Sequence, residues 1–490
     1  MTDKTLGELG LTAQSGDSRA RITAITLDSR AVRPGTLFAA LPGSRVHGAE
    51  FIDPALRMGA SAILTDRQGA QIAAETLARH PQAALVVAED ARAALAMAAA
   101  LYYGAQPSVM AAVTGTNGKT SVASFTRQLW TALGHAAINV GTTGVEGAWG
   151  MPLAHTTPDA VTLQSLLAQA AAAGVTHAAM EASSHGLDQR RLEGVRLSAA
   201  AFTNLTQDHL DYHPSMEEYF LAKAGLFTRL LPEEGIAVIN TDDPYGRRLL
   251  GMVEQPVLKV GQDEDCDLRI LDQRFTAHGQ TLRFRWKGRA QQVDLALVGG
   301  FQAANALLAL GLVLATGGDA AEAISAMETL QGVRGRMQLA ATRTNGAPVF
   351  VDYAHTPAAV ETALKALRPH VMGRLIVVLG AGGDRDKTKR PLMGKAAVEN
   401  ADVVFVTDDN PRSEDPAVIR AEILKAAPEA TEVGDRAEAI LRAVDALEPG
   451  DALLIAGKGH ETGQTVGGIV YPFDDLEQAS VAVAALDGTL

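Results

Sequence analysis

Cysteine is almost missing from these 490 residues. The one present, Cys266, excludes an intrachain disulfide and any all-cysteine metal centre. Aromatic side chains make up only 4%, so the cores must be aliphatic. Long apolar runs are missing too. The longest, such as Ala93 to Tyr103, fall short of the roughly 18 residues that a membrane-spanning helix needs. Positive charge is in deficit. Lys plus Arg is 43 against 56 Asp plus Glu, a formal charge of −13 with no basic block, which argues against general nucleic-acid binding. It does not exclude a phosphorylated ligand, because local cations decide that. The start, MTDKTLGELG, carries charge without an apolar centre and does not read as a secretory signal. A reducing, cytoplasmic setting is the expectation.

What is present is a globular composition, 47% hydrophobic and 20% charged, long enough for about three domains. Ala60–Thr65 and Ala84–Ala88 read as strands, and Ala-rich Ala91–Tyr103 reads as a helix closed by Gly104. Pro107 marks a linker. Val109–Val113, Thr176–Met180, Ala199–Phe202 and Ile236–Ile239 read as strands between helical stretches such as Val122–Leu133. That alternation predicts a mostly parallel sheet wrapped by helices. From about 265 to 298 the pattern changes. Leu282, Phe284 and Trp286 alternate with Thr281, Arg283 and Arg285, as in an antiparallel meander. Beyond Gln331–Gly335, the strands Val349–Val351, Leu375–Leu379, Val403–Val406 and Ala452–Ile455 predict a second α/β unit of the doubly wound kind, with a helix at Ala358–Leu367. The expected fold class is therefore α/β.

Thr114-Gly-Thr-Asn-Gly-Lys-Thr-Ser121 joins a predicted strand to a predicted helix. Backbone N–H groups and a helix N-terminus can cradle phosphate there. Gly115 and Gly118 let the backbone approach closely. Lys119 can reach the β- and γ-phosphates, and Thr120 can touch Mg²⁺. The glycine spacing is shorter than in the full phosphate-loop pattern.

Together with Glu181-Ala-Ser-Ser-His185, Thr203-Asn-Leu-Thr-Gln-Asp-His-Leu-Asp211 and Asp352-Tyr-Ala-His-Thr-Pro357, this loop resembles the Mur ligases. These are ATP-dependent amide-forming enzymes of peptidoglycan precursor synthesis. The resemblance runs along essentially the whole chain, with the motifs in order. It implies three domains: 1–105 for a UDP-sugar, a central phosphate-loop ATPase over 106–333, and a Rossmann-like domain over 334–490 for the incoming amino acid. It implies ATP held by Gly115, Thr116, Asn117, Gly118, Lys119, Thr120 and Ser121. Asn305 would stand on the adenine side, with Arg336 and Asp352 reaching the γ-phosphate and the ribose. Thr120, Glu181 and a neutral His209 would hold Mg²⁺. Lys223, in its own context an ordinary surface lysine on a helix, would instead be carbamoylated by CO₂ and become a further Mg²⁺ ligand. Lys119, His209 and Lys223 are the expected catalytic residues.

Leu27, Ser29 and His47-Gly48-Ala49 match segments that hold the uridine nucleotide in this family. Thr156, Thr157, Ser183, Gln189 and Arg191 match positions that grip the sugar-peptide. His155 stands where the family pattern has Asn. Asp409-Asn-Pro-Arg412 resembles the signature of members that add meso-diaminopimelate. Diaminopimelate is lysine with one more carboxylate, so a bidentate guanidinium, from Arg412 or Arg385, is the group that would select it. Asp409, Asn410 and Glu461 can receive ammonium groups, with Pro411 and Gly457 beside them. The implied partners are small molecules only, and a monomer is expected. A lysine-adding or folylpolyglutamate-type ligase, a nucleotide-driven switch and an inactive binding module are the rival readings.

Overall fold

A computed structural model describes residues 3–43, 46–209 and 212–489. The chain divides into two compact units. The first comprises residues up to Val260 with Leu308–Asp319, and the second comprises Gly261–Leu307 and the chain from Ala320 onward.

The first unit carries two α/β sheets. The N-terminal one has four parallel strands in the order Ala24–Thr26, Thr36–Ala40, Ala60–Thr65, Ala84–Val87. Its two faces bury separate aliphatic clusters, one around Leu37 and Leu64 and one around Phe38 and Ile63. The helix Ala91–Tyr103 begins at Asp90, whose carboxylate accepts from the Ala93 N–H at 3.0 Å, and ends at Gly104 with φ 74°. Charge on the N-cap and a glycine beyond the last turn satisfy the free backbone groups at both ends.

The central sheet runs Val257–Gly261, Ile236–Asn240, Ala199–Phe202, Val109–Thr114, His177–Glu181, Ala137–Gly141, Gly144–Gly147. All pairings in that run are parallel except the last. Val109–Thr114 and His177–Glu181 lie side by side in the middle, so the loops after them emerge together. Their Ala and Val side chains are buried on both faces, as helix-covered parallel strands require. The helix after Val109–Thr114 starts at Lys119, three residues before the sequence pattern places it. Gly118 adopts φ 86° and turns the loop directly into the helix, so the phosphate loop and the first helical turn are continuous.

The second unit opens with the expected meander, Leu268–Thr276, Gly279–Trp286 and Arg289–Leu295, paired antiparallel. Its main sheet runs Gln338–Thr342, Pro348–Asp352, Ala452–Ala456, Leu375–Leu379, Val403–Val406, Thr431–Glu432, with only the first strand antiparallel. Ala452–Ala456 inserts between Pro348–Asp352 and Leu375–Leu379, so the sheet order is doubly wound. A hairpin the sequence reading did not anticipate, Gly463–Val466 with Ile469–Pro472, follows Ala452–Ala456.

An ion pair lies wholly inside this unit. Arg436 and Asp475 are 2.7 Å apart with side chains 1% and 0% exposed. Arg436 also donates to the carbonyls of Ala456 and Asp408, and so ties two strand ends together. Asp475→Ala should destabilise the protein by about 3–5 kcal/mol, because it strands a buried guanidinium. Urea unfolding of the single mutant and of the Arg436→Met/Asp475→Leu double mutant checks this. The double mutant should recover most of the loss.

Candidate active site

In the first unit, the strand ends assemble around Glu181, the last residue of His177–Glu181. It is buried, and each carboxylate oxygen has a donor. Oε2 accepts from the Thr120 hydroxyl at 3.0 Å, and Oε1 accepts from the Thr142 N–H at 2.8 Å. The Thr142 hydroxyl reaches both Oε2, at 3.3 Å, and the Thr156 hydroxyl, at 3.0 Å. Thr157 donates to the Glu181 carbonyl at 2.9 Å and accepts from the Ser183 N–H at 3.0 Å. The structure thus brings Thr120, Thr156, Thr157, Glu181 and Ser183 together. Thr142 completes the group and escaped the sequence reading. Its signal was the Gly141-Thr-Thr-Gly144 turn straight after a buried strand.

The phosphate loop is braced from the other side. Lys119 Nζ donates back to the carbonyls of Gly115 and Thr116 at 2.9 and 2.8 Å. Lys223 Nζ donates to the same Gly115 carbonyl at 2.7 Å and lies over the Tyr219 ring. Lys223 is only 1% exposed, which corrects the surface-lysine reading of its sequence context. Burial, and after it the like charge of Lys119, holds its ammonium well below the ordinary lysine value. Asn117 is fixed through its N–H to the Asn204 side chain at 3.0 Å, and Thr116 through its N–H to the Asn204 carbonyl at 2.8 Å. Gly115 packs too closely for a Cβ, which would stand 1.8 Å from Thr203 Oγ1, and Ser121 is buried in the first helical turn.

His209 is exposed at φ 54°, its ring 4.9 Å from that of His185 and 6.1 Å from that of Tyr219. Leu210 and Asp211, which end its motif, lie outside the described residues. Among the described residues no three His, Cys, Asp or Glu side chains form a ready metal group. The donors present, a carboxylate beside a hydroxyl, are hard oxygens of the kind Mg²⁺ takes.

On the sugar-peptide side, Gln189 accepts from Arg191 at 2.8 Å and donates to the Tyr212 hydroxyl at 3.2 Å, while Arg191 also reaches the Thr157 carbonyl at 2.6 Å. Tyr212 adds a second residue the sequence reading missed. His155 is exposed. In the N-terminal sheet, His47 Nδ1 accepts from the Ala49 N–H at 3.0 Å, so Nε2 carries the proton and faces Asp66 at 3.2 Å. Gly48 has no room for a Cβ, which would stand 2.8 Å from the Leu41 nitrogen. Leu27 is exposed and Ser29 half-buried, in a short turn capped by Asp28.

The second unit holds the remaining residues. Asn305 is buried in the helix Phe301–Ala315 and donates to Gln302 at 3.0 Å. Asp352 ends its strand, accepts from the N–H groups of Met337 and Ala354, and is pushed up by burial. Arg336 stacks on Tyr353 with its guanidinium carbon 4.9 Å from the ring centre.

The Asp409–Arg412 turn is fixed from three directions. Asn410 and Arg412 both take positive φ, 42° and 52°. The new hairpin holds them there. Asn410 accepts from the Thr465 N–H at 2.8 Å, Gln464 accepts from the Asn410 N–H at 3.0 Å, and the Arg412 N–H donates to Thr465. The Asn410 amide donates to Glu461 at 2.8 Å and to Asp409 at 3.2 Å. Buried Lys458 stands 3.5 Å from Asp409. The Arg412 guanidinium donates to the Gly383 carbonyl at 2.8 Å, and Gly382 admits it because a Cβ there would stand 2.8 Å away. Pro411 turns its carbonyl toward Gly383, where a Cβ would stand 1.9 Å from it. Gly457 has φ 121°, and a Cβ there would stand 2.4 Å from Asp409. Arg385 stays exposed, whereas Arg390, in the first turn of the helix Lys389–Asn400 that follows, is wholly buried between Glu414 and Glu422. The loop carrying Arg385 is therefore anchored at its end rather than merely solvated.

Patterns of the Mur ligase family match three stretches: its catalytic domain over residues 21–103, its middle domain over 113–313 and its glutamate ligase domain over 335–459. The chain belongs to the Mur ligase family. It is 49% identical over 472 residues to an Agrobacterium fabrum protein, covering 96% of this chain and 94% of the relative. It is 50% identical over 470 residues to one from Brucella melitensis biotype 1, covering 95% and 94%. Both relatives are named UDP-N-acetylmuramoyl-L-alanyl-D-glutamate–2,6-diaminopimelate ligase. A solved structure of that name superposes with a TM-score of 0.73 at 32% identity and covers 99% of each chain. A Thermotoga maritima MurF ligase solved with ADP shares the fold at TM-score 0.60, 19% identity, and 94% and 97% coverage. Among the described residues no helix is long and apolar enough to cross a membrane.

Gly141 tests the Glu181 group. An alanine Cβ there would stand 2.0 Å from Glu181 Oε1, so the carboxylate must move. Gly141→Ala should cost about 10²-fold in kcat, because displacement by about an ångström suffices for that. ATP turnover by the folded mutant, with its melting temperature as control, is the measurement.

Proposed function

We propose that this chain is an ATP-dependent ligase that joins meso-2,6-diaminopimelate to UDP-N-acetylmuramoyl-L-alanyl-D-glutamate, as a cytoplasmic monomer in peptidoglycan precursor synthesis. Residues 1–105 serve the UDP-sugar, 106–333 ATP, and 334–490 the amino acid. ATP phosphorylates the D-glutamate γ-carboxylate, the diaminopimelate amine attacks the acyl phosphate, and phosphate leaves. Gly115–Ser121 cradle the triphosphate, and Lys119 swings from the loop carbonyls to the β- and γ-phosphates. Asn305, Asp352 and Arg336 take adenine, ribose and γ-phosphate. Thr120, Glu181, His209 and a carbamoylated Lys223 would hold Mg²⁺, which supplies positive charge among the reacting anions. Carbamoylation would turn a buried cation beside Lys119 into an anion. Amine and acyl phosphate must meet with water excluded, since water would hydrolyse the intermediate.

The observation that carries the choice of amino acid is the fixed Asp409–Arg412 turn. It sets two positive-φ residues and a guanidinium beside the carboxylates of Asp409 and Glu461, which supports a substrate carrying both a carboxylate and an ammonium group. Lysine would leave the guanidinium without its carboxylate, and unpaired polar groups are rejected strongly. Asp409, close to Lys458, contributes chiefly by placing Asn410, which leaves Glu461 the better acceptor for an ammonium group.

The test is ADP release with the UDP-dipeptide, alone, with diaminopimelate and with lysine. Release should require diaminopimelate and be slow with lysine. Arg412→Ala should lower kcat/KM for diaminopimelate by about 2–4 kcal/mol, roughly 30- to 1,000-fold, without making lysine a good substrate. Preference of the wild type for lysine, or full activity of the mutant with diaminopimelate, would refute the substrate assignment.

A further inference from the structure

The proposed acyl donor has three chemically distinct parts: a uridine, a diphosphate dianion and a sugar-peptide. The residues that match uridine and sugar-peptide positions leave the diphosphate with no partner. All of them lie in the first unit, so a cation lying between the two groups can be sought within one compact body.

Arg92 is such a cation. It stands in the first turn of the helix Ala91–Tyr103 and is half-buried. Its guanidinium donates to the Pro42 carbonyl, and Pro42 bridges to His47 on the uridine-side loop. The helix start is also tied to the sugar-peptide side. Asp90, two residues earlier, pairs with Arg190 at 2.8 Å, and Arg190 adjoins Arg191. The field of Arg92 reaches that side directly. It opposes the positive charge on Arg191 and favours ionisation of Tyr212, although burial is the first influence on both groups.

Arg92 and Arg191 repel one another, and little on the chain cancels the pair. Among the described residues no carboxylate forms an ion pair with Arg92. Arg191 spends its donors on the neutral oxygens of Thr157 and Gln189, with Asp159 the acidic group that draws on it from a distance. Two guanidinium groups that feel one another's charge, neither in an ion pair among the described residues, suit an anion with several oxygens, and guanidinium–phosphate pairs are among the stronger charged hydrogen bonds.

We infer that Arg92 binds the diphosphate of the nucleotide-activated acyl donor, between the His47 loop and the Gln189–Arg191 segment. This rests on the UDP-sugar-peptide reading above. The competing role for Arg92 is a strut that only holds the Pro42 carbonyl and hence the loop.

Uridine and UDP separate the two roles, because they share the nucleoside and differ in the diphosphate. Calorimetric titration of wild type, Arg92→Lys and Arg92→Met with each ligand is the experiment, alongside steady-state kinetics with the full UDP-dipeptide. Arg92→Met should weaken UDP about tenfold or more while uridine stays within about twofold, and Arg92→Lys should fall between. The KM for the UDP-dipeptide should rise about tenfold with kcat and the KM values for ATP and diaminopimelate nearly unchanged. Parallel weakening of uridine and UDP would make Arg92 a strut and overturn the inference. So would unchanged UDP affinity in a variant of a wild type that binds UDP better than uridine and turns over the UDP-dipeptide. If the wild type itself neither prefers UDP to uridine nor uses the UDP-dipeptide, the substrate reading falls, and this inference with it.

Discussion

Two ammonium groups share one carbonyl oxygen. Lys119 and Lys223 both donate to Gly115 O, at 2.9 and 2.7 Å, and the second of them is almost wholly buried. Charging both would raise the energy of the unliganded loop, and burial disfavours the Lys223 ammonium further. Much else in the first unit follows from that constraint. Glu181 accepts from Thr120 and Thr142 and so stays fixed at its strand end. Asn204 clamps the loop backbone so that it keeps its shape while charged. On the proposed reading anions relieve that constraint: a triphosphate at Lys119 and a carbamate on Lys223.

The second unit is built around a different constraint, the geometry of one turn. Its sheet delivers strand ends at Asp352, Ala456 and Val406, and ligands of such sheets bind at carboxyl ends. The decisive element, however, is the small hairpin Gly463–Pro472. It contributes backbone and amide contacts that hold Asn410 and Arg412 in left-handed conformations, which non-glycine residues adopt only under constraint. Buried Lys458 pairs with Asp409, and buried Arg436, paired with Asp475, holds the carbonyl of Asp408 just before the turn. On the proposed reading, the turn is set for its amino acid before substrate arrives.

The sequence disclosed most of the sheet strands because parallel strands buried on both faces are short apolar runs with clear ends. Leu375–Leu379 and Val403–Val406 fall where the pattern puts them. The phosphate loop was legible for the same kind of reason, since its glycines have one geometric use. The burial of Lys223 was not legible. Its helix carries charged Glu217 and Glu218 in the first turn and a lone lysine in the last, and nothing local says that the lysine turns inward onto Gly115. The hairpin carried a signal, Gly467-Gly468 between Thr-Val and Ile-Val pairs, which is the pattern of a tight β-turn. Thr142, Tyr212 and Lys458 act through contacts across 14 to 49 positions of chain, and such contacts cannot be read from spacing.

The central claim is that Lys223 works as an anion. A ¹³C spectrum of the enzyme with ¹³CO₂, Mg²⁺ and a nucleotide, together with a crystal structure of that complex, tests it most directly. The account predicts a carbamate carbon bonded to Lys223 Nζ and lost in Lys223→Ala. A bare, protonated Lys223 in that complex, in an enzyme turning over at full rate, would contradict it.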